Sequence, residues 1–337
     1  MYSDDELESA VEAGVLTAQA AAAFRAHVAQ KRATPIVDEE YFRLISGFND
    51  IFVVIACLLL LVSITWIGAS VSLVFGAILQ TITAWGLAEY FTRQRRMALP
   101  SIVLLLAFVG GVLAIGGLIL EGFNLSYDLT IGISSAAAAI AAWLHWLRFK
   151  VPITVAAGTA ALVAGVMMIM FALIPIPGMR QWAMMPLTFI AGISVFMLAM
   201  KWDASDTLRQ TRRSDVAFWL HLIAAPLIVH PVFSALDIFD GQVGLWQASA
   251  VTMLYMAIAI VSISIDRRAM MVSALIYVLY AFDTLLEQFG IISLGFAFTA
   301  FSIGSGLLLL SVFWHSCRKA LVQFYPGFIQ QQLPSLR

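Results

Sequence analysis

Ten apolar runs, each about 20 residues long and bounded by charged or polar residues, occupy most of this chain. A helix rises about 1.5 Å per residue, so about 20 apolar residues cross the roughly 30 Å hydrocarbon core of a bilayer. The runs therefore predict an all-α fold, a polytopic membrane helix bundle of about ten transmembrane helices arranged as five helical hairpins. Their approximate bounds are 48–67, 70–91, 99–120, 129–147, 151–173, 183–201, 216–235, 245–265, 269–287 and 290–314.

Composition excludes a soluble globular protein. The chain is 61% hydrophobic and 12% charged, with a mean hydropathy of +0.93. Soluble domains have about 45–50% apolar and about 25% charged residues. There is too little polar surface here to coat a particle in water, so we expect the lipid bilayer to be the main partner. A net charge of −1 gives no basic character, and no nucleic-acid partner is expected.

The positions of the basic residues predict the orientation of the bundle. Lys and Arg groups precede the first run and follow the second, fourth, sixth, eighth and tenth runs. All but one of the 19 basic residues then fall on one side of the membrane, and Arg180 alone falls on the other. Because Lys and Arg stay on the cytoplasmic side, both termini are predicted to be cytoplasmic. Four acidic residues mark the opposite face: Glu121, Asp128, Asp237 and Asp240.

The segment before the first run has the signals of two short helices. Ser3 and Glu6 have the spacing of a capping box, Gly14 is typical of a helix stop, and a second helix can begin at Thr17. The acidic start lacks the basic and apolar regions of a cleavable signal peptide. About thirty residues cannot bury a core alone, so this pair is expected to lie on the cytoplasmic face of the bundle or on a cytoplasmic partner bound through residues 1–34.

Three segments of the first hundred residues resemble a known family. They read EAGVLTAQAAAAFRAHV (12–28), GFNDIFVVIACLLLLVSITWIG (47–68) and AEYFTRQRR (88–96). In this part the chain resembles the bacterial polytopic predicted membrane proteins of the domain-of-unknown-function 2157 type. The resemblance implies a bacterial inner-membrane protein and assigns no role to any residue.

The best polar stripe lies on the ninth run. Tyr277, Tyr280, Asp283 and Glu287 share a face about 120° wide, at about 100° per residue. Ionisable groups within a membrane are costly and raise a functional hypothesis. Asp283 is therefore a candidate substrate- or proton-binding residue, with Glu287 nearer the membrane surface. The alternative is an Asp whose carboxyl is satisfied by a Tyr or Ser hydroxyl in a helix contact.

The seventh run contributes two histidines and the second run a glutamine. His221 and His230 lie nine residues apart, on opposite faces of a regular helix, and cannot share a metal ion unless Pro226 unwinds the turn between them. Gln80 lies near the middle of its span, where an interhelical hydrogen bond is the structural alternative to a ligand contact.

Two stripes of small residues predict close helix packing. One contains Ala107, Gly110, Ala114 and Gly117, and the other contains Gly295, Thr299, Ser302 and Gly306.

Motifs of enzymes and cofactor sites are missing from the sequence. It has no H-E-x-x-H, no G-x-S-x-G after a strand, no P-loop and no Gly-rich dinucleotide turn. Cys57 and Cys317 lie far apart and form no metal-ligand pattern. We therefore expect no enzyme activity, cofactor or metal site, and an intramembrane hydrolase built from scattered histidines is the least favoured alternative.

The predicted domains are a cytoplasmic helical segment with its linker (1–46), the transmembrane bundle (47–316) and a cytoplasmic tail (317–337). The leading functional hypothesis is a secondary transporter or permease that couples a small solute to a proton, because the chain has many spans and no nucleotide-binding domain. The alternative is a non-transporting membrane scaffold or sensor that acts through its N-terminal helices. The sequence does not identify the substrate, and it does not decide between a monomer and a homo-oligomer.

Overall fold

The computed structural model describes residues 4–31, 48–174, 177–207, 209, 211–236, 244–288, 295–330 and 333–334. The regular structure in these residues is helical, without strands. The all-α fold predicted from the apolar runs is confirmed to that extent. The chain divides into two compact units, Met1–Tyr41 and Phe42–Arg337.

The first unit is a helical pair. Helix α1 spans Asp4–Glu12 and helix α2 spans Ala18–Lys31. The predicted stop at Gly14 is confirmed, because this residue has a φ of +71° and lies two positions after Glu12, the last residue of α1. Thr17 caps α2, since its hydroxyl accepts a hydrogen bond of 3.1 Å from the amide of Ala20. Ser3 and the side chain of Glu6, the predicted capping box, lie outside the described residues.

The second unit has a long helix at each of the ten predicted runs. These helices are α3 (Phe48–Ala69), α4 (Leu73–Ala88), α5 (Ala98–Leu120), α6 (Tyr127–Phe149), α7 (Ile153–Leu173), α8 (Pro177–Ala204), α9 (Arg212–Ser234), α10 (Leu245–Ile265), α11 (Ala269–Gln288) and α12 (Gly295–Val322). A π-helical turn, Glu89–Gln94, follows α4, and a short helix α13, Gly327–Gln330, follows α12. Helix α12 thus continues beyond the predicted end of the bundle at residue 316.

Eight helices within the described residues are long and apolar enough to cross a membrane. Helices α4 and α11 are not among them, and α4 has only 16 residues. The count of ten spans therefore stays a prediction. The eight candidates are Phe48–Ala69, Ala98–Phe123, Tyr127–Phe149, Ile153–Leu173, Trp182–Ala204, Arg212–Ser234, Leu245–Ile265 and Ala300–Val322.

Most helices of the second unit pack against their neighbours in sequence. Helices α3 to α7 each pack against the next, α7 packs against α9, and α8 to α12 form a second group in which α11 contacts α9, α10 and α12. Contacts between side chains place several of the basic loops at one end. Arg148 at the end of α6 binds Glu89 after α4, and Arg267 after α10 binds Asp203 at the end of α8. We call this the basic end of the bundle.

Close helix packing uses small residues that lie next to the predicted stripe of α5. A Cβ on Gly111 would approach Thr81 of α4 to 2.2 Å, and a Cβ on Gly116 would approach Ser134 of α6 to 2.8 Å. By contrast, a Cβ on Gly110, Gly117 or Gly306 would meet no atom of the described residues within 4 Å. The predicted packing role was therefore wrong for these three glycines. The surroundings of Gly295 and the side chain of Thr299 lie outside the described residues.

Candidate functional site

A cluster of buried charged side chains lies at the basic end, where α8, α9, α10 and α12 meet. We call it the charge cluster. Its members are Asp203 at the end of α8, Arg209 in the following loop, His221 on α9, Asp266 and Arg267 after α10, and Arg318 on α12. Burial of so many ionisable groups is costly, so each needs a partner within the protein.

The ion pair between Arg267 and Asp203 forms the centre of the charge cluster. Both residues are 1% exposed. Nη2 of Arg267 donates to Oδ1 of Asp203 at 2.6 Å, and Nε donates to Oδ2 at 3.3 Å. The same Nη2 donates at 3.0 Å to the carbonyl oxygen and the hydroxyl of Ser214, in the first turn of α9. One guanidinium thus connects the ends of three helices.

His221 completes the coordination of Asp203. Its Nε2 donates to Oδ2 of Asp203 at 2.9 Å, and the residue is 0% exposed. Phe196 of α8 lies against the ring, with 5.4 Å between centroids. Nδ1 of His221 has no hydrogen-bond partner among the residues that the structure describes. A proton on this nitrogen would therefore have no acceptor among the described residues.

Asp266 organises the other half of the charge cluster. Its Oδ1 accepts a hydrogen bond of 2.8 Å from the indole of Trp314, and its Oδ2 accepts one of 3.0 Å from Nη1 of Arg209. Arg318 lies 3.7 Å from the same oxygen. Asp266 and Arg209 both have positive φ angles, 59° and 54°. Such backbone conformations cost free energy in residues other than glycine and are concentrated at functional sites.

The C-terminal segment closes over this half of the cluster. Arg318 donates to the carbonyl oxygen of Pro334, and the hydroxyls of Ser264 and Tyr325 lie 2.8 Å apart. Leu333 is buried in the hydrophobic core between α9, α10 and α11. The described part of the predicted tail thus packs as part of the bundle's own unit.

Burial and like charges act on the arginine of the α8–α9 loop. Burial, with the neighbouring charge of Arg267, lowers the pKa of Arg209 to about 10, against the opposing effect of Asp266. Arg209 still carries its proton at neutral pH. The fixed charges of the cluster are therefore those of the Arg and Asp side chains, and His221 is the member whose side chain has both a neutral and a charged form.

His230 and Tyr277, two more of the predicted site residues, contact each other away from the charge cluster. Nδ1 of His230 lies 3.0 Å from the hydroxyl of Tyr277, between α9 and α11. Helix α9 runs without interruption through Pro226, so His221 and His230 keep separate partners. The described residues hold no group of three or more His, Cys, Asp or Glu side chains that could bind a metal ion.

The remaining members of the predicted stripe lie apart from the charge cluster. Tyr280 is 39% exposed and Asp283 is half-buried, both on α11. The side chain of Glu287 lies outside the described residues, as do Asp237 and Asp240 of the predicted acidic face and the side chain of Arg180.

Gln80 joins three helices. Its Oε1 accepts a hydrogen bond of 3.0 Å from Thr65 on α3, and its Nε2 donates to the carbonyl oxygen of Ala107 on α5 at 3.3 Å. An apolar groove of about 630 Å³ runs beside it, lined by α3 residues such as Leu58 and Trp66. Gln80 is thus satisfied within the protein.

The described cavities lie away from the predicted stripe. They are the groove beside Gln80, one of about 190 Å³ between α11 and α12 next to Trp314, and one of about 370 Å³ between α6 and α7. Neither Asp283 nor Tyr280 lines any of these three cavities, nor does Pro226.

Most of the charge cluster was missed by reasoning from the sequence. Arg209, Arg267 and Arg318 enter the prediction from sequence only as basic residues of the cytoplasmic side, Asp203 and Asp266 do not enter it, and His221 alone is singled out. A signal was present, because the acid in Lys201-Trp202-Asp203 and the acid–base pair in Asp266-Arg267 both stand at the end of an apolar run. Which of these charges meet depends on how the helix ends pack together.

Comparisons of the chain with known proteins find no matching family model, no matching curated protein and no matching solved structure.

Proposed function

We propose that the protein is a multi-pass integral membrane protein that senses protons through the charge cluster, with His221 as the titrating group. The eight long apolar helices are compatible with an integral membrane protein. Sensing is supported by one observation: His221 is fully buried, is held at Nε2 by Asp203, and has no partner at Nδ1 among the described residues. Ionisable groups at such positions in a membrane protein are functional candidates by default.

A proton on His221 changes the electrostatics of the cluster. Asp203 faces the ring from α8, while Arg267 and Arg209 face it from the loops after α10 and α8. Protonation adds a positive charge beside two guanidinium groups and creates an N–H at Nδ1 without an acceptor. A buried donor without a partner costs about 1–3 kcal/mol. Protonation should therefore be coupled to a movement of α9 relative to α8.

This movement has a path to the surface. Arg267 contacts Asp203, the neighbouring Asp266 contacts Trp314 and Arg318 on α12, and Arg318 holds the backbone at Pro334. A rearrangement that starts at His221 would thus reach the C-terminal segment. A pH-dependent change of a surface segment is the output expected of a sensor.

A second candidate is a proton-coupled permease for a small solute. Helix α9 carries Pro226 and Pro231, which lack amide donors, and its His230 contacts Tyr277 of α11. Proline within membrane helices often accompanies transport sites. No residue of α9 lines any of the three described cavities, so this candidate has less support than the sensor.

A fluorophore on the native, exposed Cys317 provides the test of proton sensing, because Cys57 is buried and Cys317 adjoins Arg318. The full-length protein in lipid nanodiscs would be titrated between about pH 5 and pH 8, the range in which His side chains change charge. We expect a transition in emission that is lost in His221→Gln, whose amide can still donate to Asp203 but cannot titrate. His315→Gln, at an exposed position of α12, is the matched control and should keep the transition.

A transition that persists unchanged in His221→Gln, or its absence from the wild type, would contradict proton sensing. Proteoliposomes that contain a pH-sensitive dye separate the two candidates. Proton uptake driven by a panel of small solutes would favour the permease, whereas a pH transition without any flux would favour the sensor.

The location and kinship of the protein belong to the same proposal. The basic end supports an orientation with cytoplasmic termini in a bacterial inner membrane. The resemblance of the first hundred residues to the domain-of-unknown-function 2157 proteins supports the bacterial membrane. The orientation would place α1 and α2 in the cytoplasm, where residues 1–34 would be available to a partner.

A further inference from the structure

A groove between α6 and α7 is walled by tryptophans at the basic end. We call it the Trp groove. It has a volume of about 370 Å³ and includes Trp143 and Trp146 of α6, Thr154, Gly158 and Thr159 of α7, and Trp202 of α8. Trp143 is 59% exposed, and Leu162 at the groove's other end is 54% exposed. The groove is thus open along its length to the surroundings of the bundle, which in a membrane are lipid.

A lysine stands beside the groove. Lys150 follows α6, is exposed, and places its ammonium 5.4 Å from the centroid of the Trp146 ring. Its φ of +55° lies in the left-handed region, and its amide donates to the carbonyl oxygen of Trp146, so Lys150 is the residue at which α6 ends. The neighbouring Arg148 is engaged with Glu89 at 2.7 Å. Lys150 therefore supplies the positive charge next to the indole rings.

The interior of the groove combines apolar walls with a fixed hydroxyl. Thr154 is 1% exposed, and its hydroxyl lies 3.4 Å from Nδ1 of His145, which is itself fully buried. Trp85, Phe108 and Phe149 surround His145 on its other sides, with ring centroids 4.4 to 5.9 Å away. This aromatic packing fixes the wall behind Thr154, so the groove is preformed.

We propose that the Trp groove binds an anionic phospholipid of the leaflet at the basic end. Its phosphate would lie at Lys150 and the indole N–H groups, and an acyl chain would run along α6 and α7 past Gly158 towards Leu162. The apolar walls favour an acyl chain, the tryptophans match the headgroup region, and the lysine favours a negative charge. A free phosphate would contact Lys150 but has no apolar part that could contact the walls of the groove.

Native mass spectrometry of the delipidated full-length protein tests this site. Phosphatidylglycerol and phosphatidylcholine with identical acyl chains would be titrated separately, and inorganic phosphate would be the chain-free probe. We expect one phosphatidylglycerol to bind in preference to phosphatidylcholine. Lys150→Ala should reduce that preference about fivefold, which is the effect of one basic residue near a membrane surface. Lys319→Ala, another exposed lysine of the chain, should leave the preference unchanged.

A variant that fills the groove tests the acyl-chain part. Ala139, a half-buried lining residue, can be changed to Leu. Ala139→Leu should weaken binding of both phospholipids, while circular dichroism verifies that the helices are intact. Equal binding of the two phospholipids to the wild type would overturn the proposal, as would equal losses in Lys150→Ala and Lys319→Ala. Retention of inorganic phosphate with the same Lys150 dependence would show an anion site without a lipid chain and would equally overturn it.

Discussion

Removal of Arg267 is the sharpest test of the charge cluster. Arg267→Met keeps much of the side-chain volume but deletes two bonds to Asp203 and two to Ser214. Asp203, which is 1% exposed, is left with His221 as its remaining described partner. Because removal of one partner of a buried ion pair leaves an uncompensated charge, we expect a loss of about 3–5 kcal/mol in the free energy of unfolding.

The loss should depend on pH. In Arg267→Met the ring of His221 faces Asp203 without the nearest competing positive charge, so a proton on His221 supplies the charge that was removed. The variant should accordingly be most destabilised near pH 8, where His221 is neutral, and less destabilised near pH 5. The opposite dependence would show that His221 does not act on Asp203.

An equilibrium titration with a denaturing detergent measures these values, with the fluorophore on Cys317 as reporter. The control is the double variant Asp203→Leu/Arg267→Met, which removes both charges. Its cost should be smaller than that of Arg267→Met, near the about 1–3 kcal/mol expected for the Nε2 donor of His221 that then lacks its acceptor. The reasoning is refuted if Arg267→Met costs under about 1 kcal/mol. It is also refuted if the double variant costs as much as Arg267→Met and Asp203→Leu, each measured alone, cost together.

Three further predictions concern packing, the surface ion pair and orientation. Gly192→Ala should cost about 1–3 kcal/mol in the same titration, because its Cβ would lie 2.8 Å from the backbone of α9. Gly117→Ala should cost little, because its Cβ would meet no described atom within 4 Å, and equal costs would contradict the packing described. The hydrogen bond from Arg148 lowers the pKa of Glu89 from its ordinary value of 4.5. The coupling free energy of the two residues in a double-mutant cycle should therefore be complete above pH 4.5 and disappear as the pH falls through the lowered pKa. It should also weaken in high salt. A membrane-impermeant maleimide should label Cys317 in inside-out vesicles and not in right-side-out vesicles, and labelling in the latter would reverse the orientation.

The positions of the helices could be predicted because they depend on local properties. A run of about 20 apolar residues must satisfy its backbone internally in lipid, and a helix is the simplest way to do so. Which side of each helix contacts its neighbours could not be predicted in the same way. Gly110 and Gly111 differ by one position, or about 100° around α5, and only Gly111 contacts α4. Lipid and protein are both apolar, so hydropathy does not distinguish the two faces.

The candidate site was less predictable because it is built from helix ends that are far apart in sequence. Asp203 and Arg267 are separated by 64 residues, and each alone has the appearance of a solvated loop charge. His221 could be singled out as a polar residue within an apolar run, but its partner could not. Asp283 attracted attention for the same reason as His221, yet it is half-buried and lines none of the described cavities. Burial, rather than residue type, separates the two.

The energetics of the charge cluster bear on why it is present. Buried ion pairs contribute little net stability, and apolar residues of similar volume often replace them without loss. What an apolar core could not supply is a group that changes its charge, or directional bonds that join three helix ends at Arg267. The end of α8 also belongs to both sites, because Trp202 lines the Trp groove and Asp203 binds His221. Phospholipid in the groove and a proton on His221 would therefore act on the same turn of helix, and by linkage each should alter the affinity for the other.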